Sequence, residues 1–148
     1  MVAFSDALYQ PAAASQRDCT GAERTTADRQ LWLNERDKKI ALETHLPWGI
    51  PTIDEATTSE QYLVQRNFVI RYDGDLRVPL LAAERVNASG LRNIHRTDCF
   101  RRDPRINAPL ESRPSDYSEP VFDQGHLAAF ANQTTSVVAG NNSFVMSN

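Results

Sequence analysis

Asp123-Gln124-Gly125-His126-Leu127-Ala128, followed at a short distance by Ser143-Phe144-Val145-Met146-Ser147-Asn148, is the stretch from which the rest of this sequence is best read. Pro120-Val121-Phe122 leads into it, and the small residues Ala129 to Asn132 follow. In the closing segment Phe144 and Met146 fall on one side of an alternation, which predicts a strand. Domains rarely stop on a core strand, so a longer natural domain is expected. His126 is the chemically expressive residue. An imidazole with an unperturbed pKa of about 6.5 is a ready proton acceptor near pH 7. Gly125 lets the backbone bend and approach a ligand closely, and Asp123 is near enough to shape the same turn. Taken alone, Asp-x-Gly-His is a weak signal, and a histidine with a purely structural role is the commoner outcome.

Outward from this stretch, residues 86–119 are polar and rich in Arg, Asp, Ser and Pro, too long for an idle loop in a small domain. Residues 62–72 read as the clearest strand, with Phe68, Ile70 and Tyr72 alternating with Val69 and Arg71. Asp73-Gly74-Asp75 signals a turn, and Leu76 to Arg85 reads as the returning strand, with Pro79 placing it at an edge or a bulge. Pro47, Gly49 and Pro51 break the chain before these strands. A helix is expected from a cap at Thr25 or Thr26 to about Leu42, and residues 1–24 read as a flexible N-terminal leader. The fold class is α+β, an antiparallel sheet core with helices, over a domain spanning 25–148.

The order of these segments resembles the DNA/RNA non-specific endonuclease family, endonuclease G-like members of the ββα-metal (His-Me finger) class. The signature of that family, Asp-Arg-Gly-His followed by a Phe-x-x-Ser-Asn strand, is matched by Asp123, Gly125, His126, Leu127 and Ala128, and then by Phe144, Ser147 and Asn148. Upstream, Trp48-Gly49-Ile50-Pro51, Phe68-Val69-Ile70-Arg71-Tyr72-Asp73, Phe100-Arg101-Arg102-Asp103-Pro104-Arg105 and Asp116-Tyr117 follow its order, so that the likeness covers about 47–148.

The resemblance implies a metal-dependent hydrolase of DNA and RNA phosphodiesters. His126 would be the general base that activates water, and Asn148 the active-site asparagine of the closing strand. Mg²⁺ or Mn²⁺ would steady the phosphate. Gln124, Arg101, Arg102 and Arg105 would contact phosphate oxygens, with Asp123 and Gly125 shaping the site. Recognition through the backbone implies little sequence preference. Asn132 also matches a position near the active site, and a homodimer is compatible with the family. Two departures stand out. Gln124 occupies the place of the family's arginine and offers an amide without a charge. The family's metal-binding asparagine lies on a helix past the position of Asn148, so no metal ligand is expected within the chain. The ββα finger is therefore expected to be incomplete and this chain alone inactive or weak.

Bulk properties limit these readings. The formal charge is −3, the wrong sign for nucleic-acid binding by general attraction, so phosphate contacts must come from a local patch or a cation. Arg92, Arg96, Arg101, Arg102, Arg105 and Arg113 form such a patch in sequence, diluted by Asp98, Asp103 and Glu111. No apolar run approaches the ~20 residues of a membrane span, and the N-terminus has no signal-peptide pattern. Cys19 and Cys99 either pair or remain as buried thiols. Sequons at Asn87, Asn132 and Asn141 tilt weakly toward a secreted protein, with a mitochondrial location as the alternative. Two rival readings remain: a catalytically impaired nucleic-acid-binding or interaction module of the same fold, and a secreted structural domain with a Cys19–Cys99 bridge and glycans. His45 and His95 read as structural or exposed, and Trp32 and Trp48 as packing residues.

Overall fold

The computed structural model describes residues 17–52, 58–118 and 124–148. Its elements are β1 (Arg17–Asp18), α1 (Gly21–Leu31), α2 (Glu35–His45), β2 (Glu60–Val64), β3 (Val69–Asp73), β4 (Val78–Ala83), β5 (Thr97–Asp98) and α3 (Val137–Asn142), with short 3₁₀ turns between. This is a mixed α+β arrangement. β2, β3 and β4 form an antiparallel sheet in that order, and β1 pairs in parallel with β5.

The sheet follows the alternation read at Phe68–Tyr72, with two refinements. The expected single strand over 62–72 is a hairpin, because Gln65 N–H donates to Phe68 O at 2.9 Å and folds the chain between β2 and β3. β3 is central and buried on both faces. Phe68, Ile70 and Tyr72 join Leu63, Ile106 and Ala128 on one face, whereas Val69 meets Val64 and Ala41 of α2 on the other. The turn after β3 is held by Asp73, whose Oδ1 accepts from the backbone N–H of Asp75 at 2.8 Å and Leu76 at 3.0 Å. Gly74 is required there: a Cβ would stand 2.9 Å from Leu110 Cβ. β4 is an edge strand whose register shifts beside Tyr72, the partner of Pro79, as a residue without an N–H demands.

The helices depart from expectation. The chain folds before Thr25: Thr20 caps α1, its hydroxyl accepting from Glu23 N–H at 3.2 Å while Glu23 Oε2 accepts from Thr20 N–H at 2.7 Å. Residues 17–24 thus belong to β1 and α1 rather than to a loose leader, and residues 1–16 lie outside the described residues. The single helix to Leu42 is two helices, since Asn34 caps α2 by accepting from Asp37 N–H at 2.8 Å. Trp32 and Trp48 are 63% and 97% exposed, so they are not packing residues. His45 is structural: Nδ1 accepts from Arg85 N–H at 3.0 Å, which leaves the proton on Nε2 to donate to Arg66 O at 2.9 Å.

The segment 143–148 is not a strand. It leaves α3 through a capping turn and makes a single parallel bridge, Arg101 with Val145, through Arg101 N–H to Phe144 O (3.1 Å) and Met146 N–H to Arg101 O (2.8 Å). The described residues therefore do not show the paired strands that a ββα finger requires.

Candidate active site

α3 packs against α1 and ends at Asn142. Carbonyls at a helix C-terminus have no intrahelical donor, and that of Ser143, just past the end, finds two side-chain donors. His126 Nδ1 lies 2.8 Å from it, and Asn148 Nδ2 donates to it at 2.8 Å. A carbonyl oxygen only accepts, so the His126 proton resides on Nδ1 and the lone pair on Nε2. Nε2 is shielded from solvent and has no hydrogen-bond partner among the described residues. The imidazole is held by aromatic rings: Phe144 meets it edge-on with centroids 4.6 Å apart, and Phe100 lies 5.6 Å away. His126 lines a concave pocket of about 220 Å³ together with Phe100, Tyr117, Gln124, Gly125 and Asn148.

Burial lowers the His126 pKa from its ordinary 6.5, and the charge of Arg96 lowers it further; the Ser143 carbonyl and Asp98 oppose the shift but do not cancel it. The ring is neutral at pH 7, the form a general base needs. Arg96 sits over the Phe144 ring, 5.2 Å from its centroid.

The wall behind this ring is fixed by a covalent bridge and a buried hydrogen bond. Cys19 and Cys99 form a disulfide, packed with Phe144 and flanked by Phe100 and Phe130. Gly140 lets α3 approach Phe130, whose Cε2 would lie 2.8 Å from an added Cβ. Thr97 Oγ1 donates to Asn141 Oδ1 at 2.5 Å, and Asn141 is 3% exposed, which excludes a glycan there in the folded state.

The other expected site residues divide. Asn148 uses its whole amide: Nδ2 donates to Ala128 O (3.0 Å) as well as to Ser143 O, and Oδ1 accepts from Ala128 N–H (2.7 Å). Both Nδ2 hydrogens are thereby used, so Asn148 positions the His126 segment and has no donor left for a substrate. Gln124 borders the pocket and donates from Nε2 to Pro114 O at 3.2 Å. Gly125 is exposed, with nothing within 4 Å of a hypothetical Cβ, so its value is open space and not a forced turn. Asp123 lies outside the described residues.

Two of the three arginines expected on phosphate are committed elsewhere. Arg101 is 6% exposed and donates to Asp28 (2.7 Å), Asn141 O (2.8 Å) and Asn142 Oδ1 (2.8 Å), tying α1 to α3. Arg105 clamps the buried Asp103 through two hydrogen bonds of 2.9 and 2.6 Å and donates to Val64 O at 3.1 Å. Both needs arise from burial: an unpaired charge in the interior is costly. Arg102 is exposed and paired with Glu111. Glu84 accepts from Asn132 Nδ2 and Gln133 Nε2, both at 2.5 Å.

Among the described residues no cluster of three His, Cys, Asp or Glu side chains could hold a metal ion. Gln124 supplies no carboxylate, and Asn148 offers only the second lone pair of an oxygen already accepting from Ala128 N–H, so the described residues alone do not make a divalent-cation site. Sequence reading missed the acceptor role of Ser143 and the position of Arg96. A backbone carbonyl leaves no trace in residue type, whereas Arg96 stood unsorted among its neighbours.

The fold and site define a mixed α+β protein with a neutral, carbonyl-oriented histidine at a small polar-and-aromatic pocket. The family model for DNA/RNA non-specific endonucleases matches residues 52–148, and the chain belongs to that family. It is 33% identical over 103 residues to the human protein named endonuclease G, mitochondrial, covering 68% of this chain and 33% of that one. A protein named nuclease from Nostoc sp. is 30% identical over 112 residues, 73% of this chain and 41% of its own length. Nuclease C1 of Cunninghamella echinulata var. echinulata is 28% identical over 95 residues, covering 62% and 38%. The chain thus spans about a third to two-fifths of the length of these relatives.

Proposed function

We propose that this chain carries the general-base half of a nuclease that hydrolyses phosphodiester bonds in DNA and RNA. The observation that supports this most is the tautomer of His126. With Nδ1–H committed to Ser143 O, Nε2, which has no partner among the described residues, is the basic nitrogen. In the proposed reaction a water admitted to the pocket that His126 lines gives its proton to Nε2 as its oxygen attacks phosphorus, and the ribose oxygen departs as an alkoxide that takes a proton from solvent. Ser143 O stabilises the imidazolium that forms, through the shared Nδ1–H. Asn148 holds that carbonyl and the Ala128 backbone in place. Gln124 offers an amide donor beside the pocket.

Dependence on Mg²⁺ or Mn²⁺ is part of the proposal and rests on the resemblance alone. The nuclease names of the relatives favour this reading over the catalytically impaired module. On compartment, the two mitochondrial endonuclease G relatives, human and bovine, favour a mitochondrial location, while the Cys19–Cys99 bridge favours an oxidising, secretory one. No helix among the described residues is long and apolar enough to cross a membrane. A homodimer remains part of the same proposal.

The test is plasmid and RNA cleavage by the full-length protein and its His126→Ala variant, each with Mg²⁺, Mn²⁺ or EDTA. Cleavage that drops by about 10²-fold or more with His126→Ala supports the base assignment. Equal cleavage by both proteins overturns it, and cleavage in EDTA overturns the metal requirement.

A further inference from the structure

Beside the His126 pocket lies a second groove, of about 530 Å³, that the catalytic reading does not use. Its rim carries three exposed arginines: Arg24 of α1, and Arg102 and Arg113 from the polar segment. Its floor includes Phe100, Pro104 and Pro114. Phe100 lines both cavities, so the groove and the pocket meet at its half-buried ring. Pro114 links them a second time, since its carbonyl accepts from Gln124 Nε2 at 3.2 Å.

The charge of this groove is positive although the chain is negative overall. Arg102 and Arg113 share one carboxylate, Glu111, at 3.2 and 2.7 Å. Burial would push the Glu111 pKa up, but hydrogen bonds and charge from both arginines more than offset it, so Glu111 stays ionised and cancels one of the two charges. Asp28 is matched by Arg101. Arg24 makes no ion pair with any described residue. Among the groove-lining residues and their salt-bridge partners, guanidinium charges therefore exceed carboxylates by two.

The geometry points to a binding groove for single-stranded nucleic acid, in which Arg24, Arg102 and Arg113 hold backbone phosphates and Phe100 stacks a base next to the His126 pocket. A basic track with an aromatic platform is the combination that recognises an unpaired strand without reading its sequence. The wall that carries Arg24 lies in α1, outside the residues 52–148 that the family model matches. The N-terminal helix would thus add a substrate contact of its own. This inference rests on the nuclease reading only for what happens in the neighbouring pocket.

The experiment uses the full chain carrying His126→Ala, so that bound strand is not cut, and measures fluorescence anisotropy of a labelled oligothymidylate over a salt series. Arg24 is exposed and forms no ion pair with a described residue, so Arg24→Glu should fold normally, which its circular dichroism spectrum would register. It should weaken binding by about tenfold at low salt and flatten the log–log salt slope by about 0.7 for each phosphate no longer neutralised. Unchanged affinity and slope overturn the groove. An abasic strand of the same length isolates the ring: weaker binding than oligothymidylate, with the difference abolished by Phe100→Leu, supports stacking. Equal binding of both strands overturns it. Failure of this proposal leaves His126-dependent cleavage standing. Arg24-dependent binding in a protein that never cuts would instead remove the nuclease reading and keep the groove.

Discussion

His126 and Asn148 converge on one oxygen: the Ser143 carbonyl receives His126 Nδ1–H and Asn148 Nδ2–H, each at 2.8 Å. The asparagine also closes a two-way clamp on Ala128, so it binds the residues just after His126 to the end of α3.

Asn148→Ala should cost about 2–4 kcal/mol, because it removes these hydrogen bonds and leaves buried backbone groups of Ala128 unsatisfied. Asn148→Asp should be worse at pH 7, placing a carboxylate oxygen against two carbonyls, and should partly recover in acid as that carboxylate protonates. Urea denaturation of both variants at pH 7 and near pH 4 distinguishes the cases; equal stability of Asn148→Ala and the parent would contradict the clamp.

His126 should titrate below 6.5. Its folded-state pKa is lowered, by burial first and then by Arg96. The unfolded chain thus binds the proton more readily in the window between the folded value and about 6.5. Stability from this residue is complete above that window and is lost as pH falls through it. Base-dependent activity should accordingly persist below pH 6.5. Arg96→Gln removes a lowering charge, so the His126 resonance should titrate at higher pH in NMR. A titration unmoved by that change would remove Arg96 from the account.

Arg105→Ala should destabilise by about 3–5 kcal/mol, since it strands Asp103 as an unpaired interior charge. Burial alone would raise the Asp103 pKa, but hydrogen bonds from Arg105 and Ser147 and the charge of Arg105 bring it below 3.8. The parent protein therefore holds this contribution above about pH 4 and loses it as pH falls through the lowered folded value. Arg102→Ala should cost less, about 1 kcal/mol, because the arginine itself is exposed and Arg113 still pairs with the buried Glu111. Comparable losses for the two variants in thermal or urea melts would contradict the assignment of Arg105 to the fold.

Reduction of Cys19–Cys99, or Cys19→Ser with Cys99→Ser, should cost about 4 kcal/mol because the bridge closes a separation of 80 residues. Cys99 adjoins Phe100, so the same change should shift the His126 ring resonances. Denaturation with and without reductant, alongside NMR, reads both effects. Unaltered stability and resonances would show that the bridge supports neither.

Much of the sheet could be read from residue type. The alternation at Phe68–Tyr72 records two buried faces, Asp73-Gly74-Asp75 records a turn, and Pro79 records an edge. The Thr20-x-x-Glu23 capping box and Asn34 are legible signals for α1 and α2, but apolar periodicity is faint there because both helices are largely polar. The motif singles out His126, which the fold places at a pocket with a carbonyl-oriented ring, but it misleads at Arg101 and Arg105. A guanidinium in the sequence looks the same whether it faces a phosphate or an interior carboxylate; only burial separates them. The strand expected at 143–148 failed because its alternation is short, and the end of α3 fixes the backbone there through caps and turns instead.

The bond between Cys19 and Cys99 also governs how the molecule comes apart. A protease that nicks any exposed loop between those two residues severs the backbone yet releases neither piece, and the fragments would migrate as one band until a thiol is added. Damage at the surface would therefore leave the floor beneath the imidazole attached to its N-terminal brace, and wear would show first on a reducing gel.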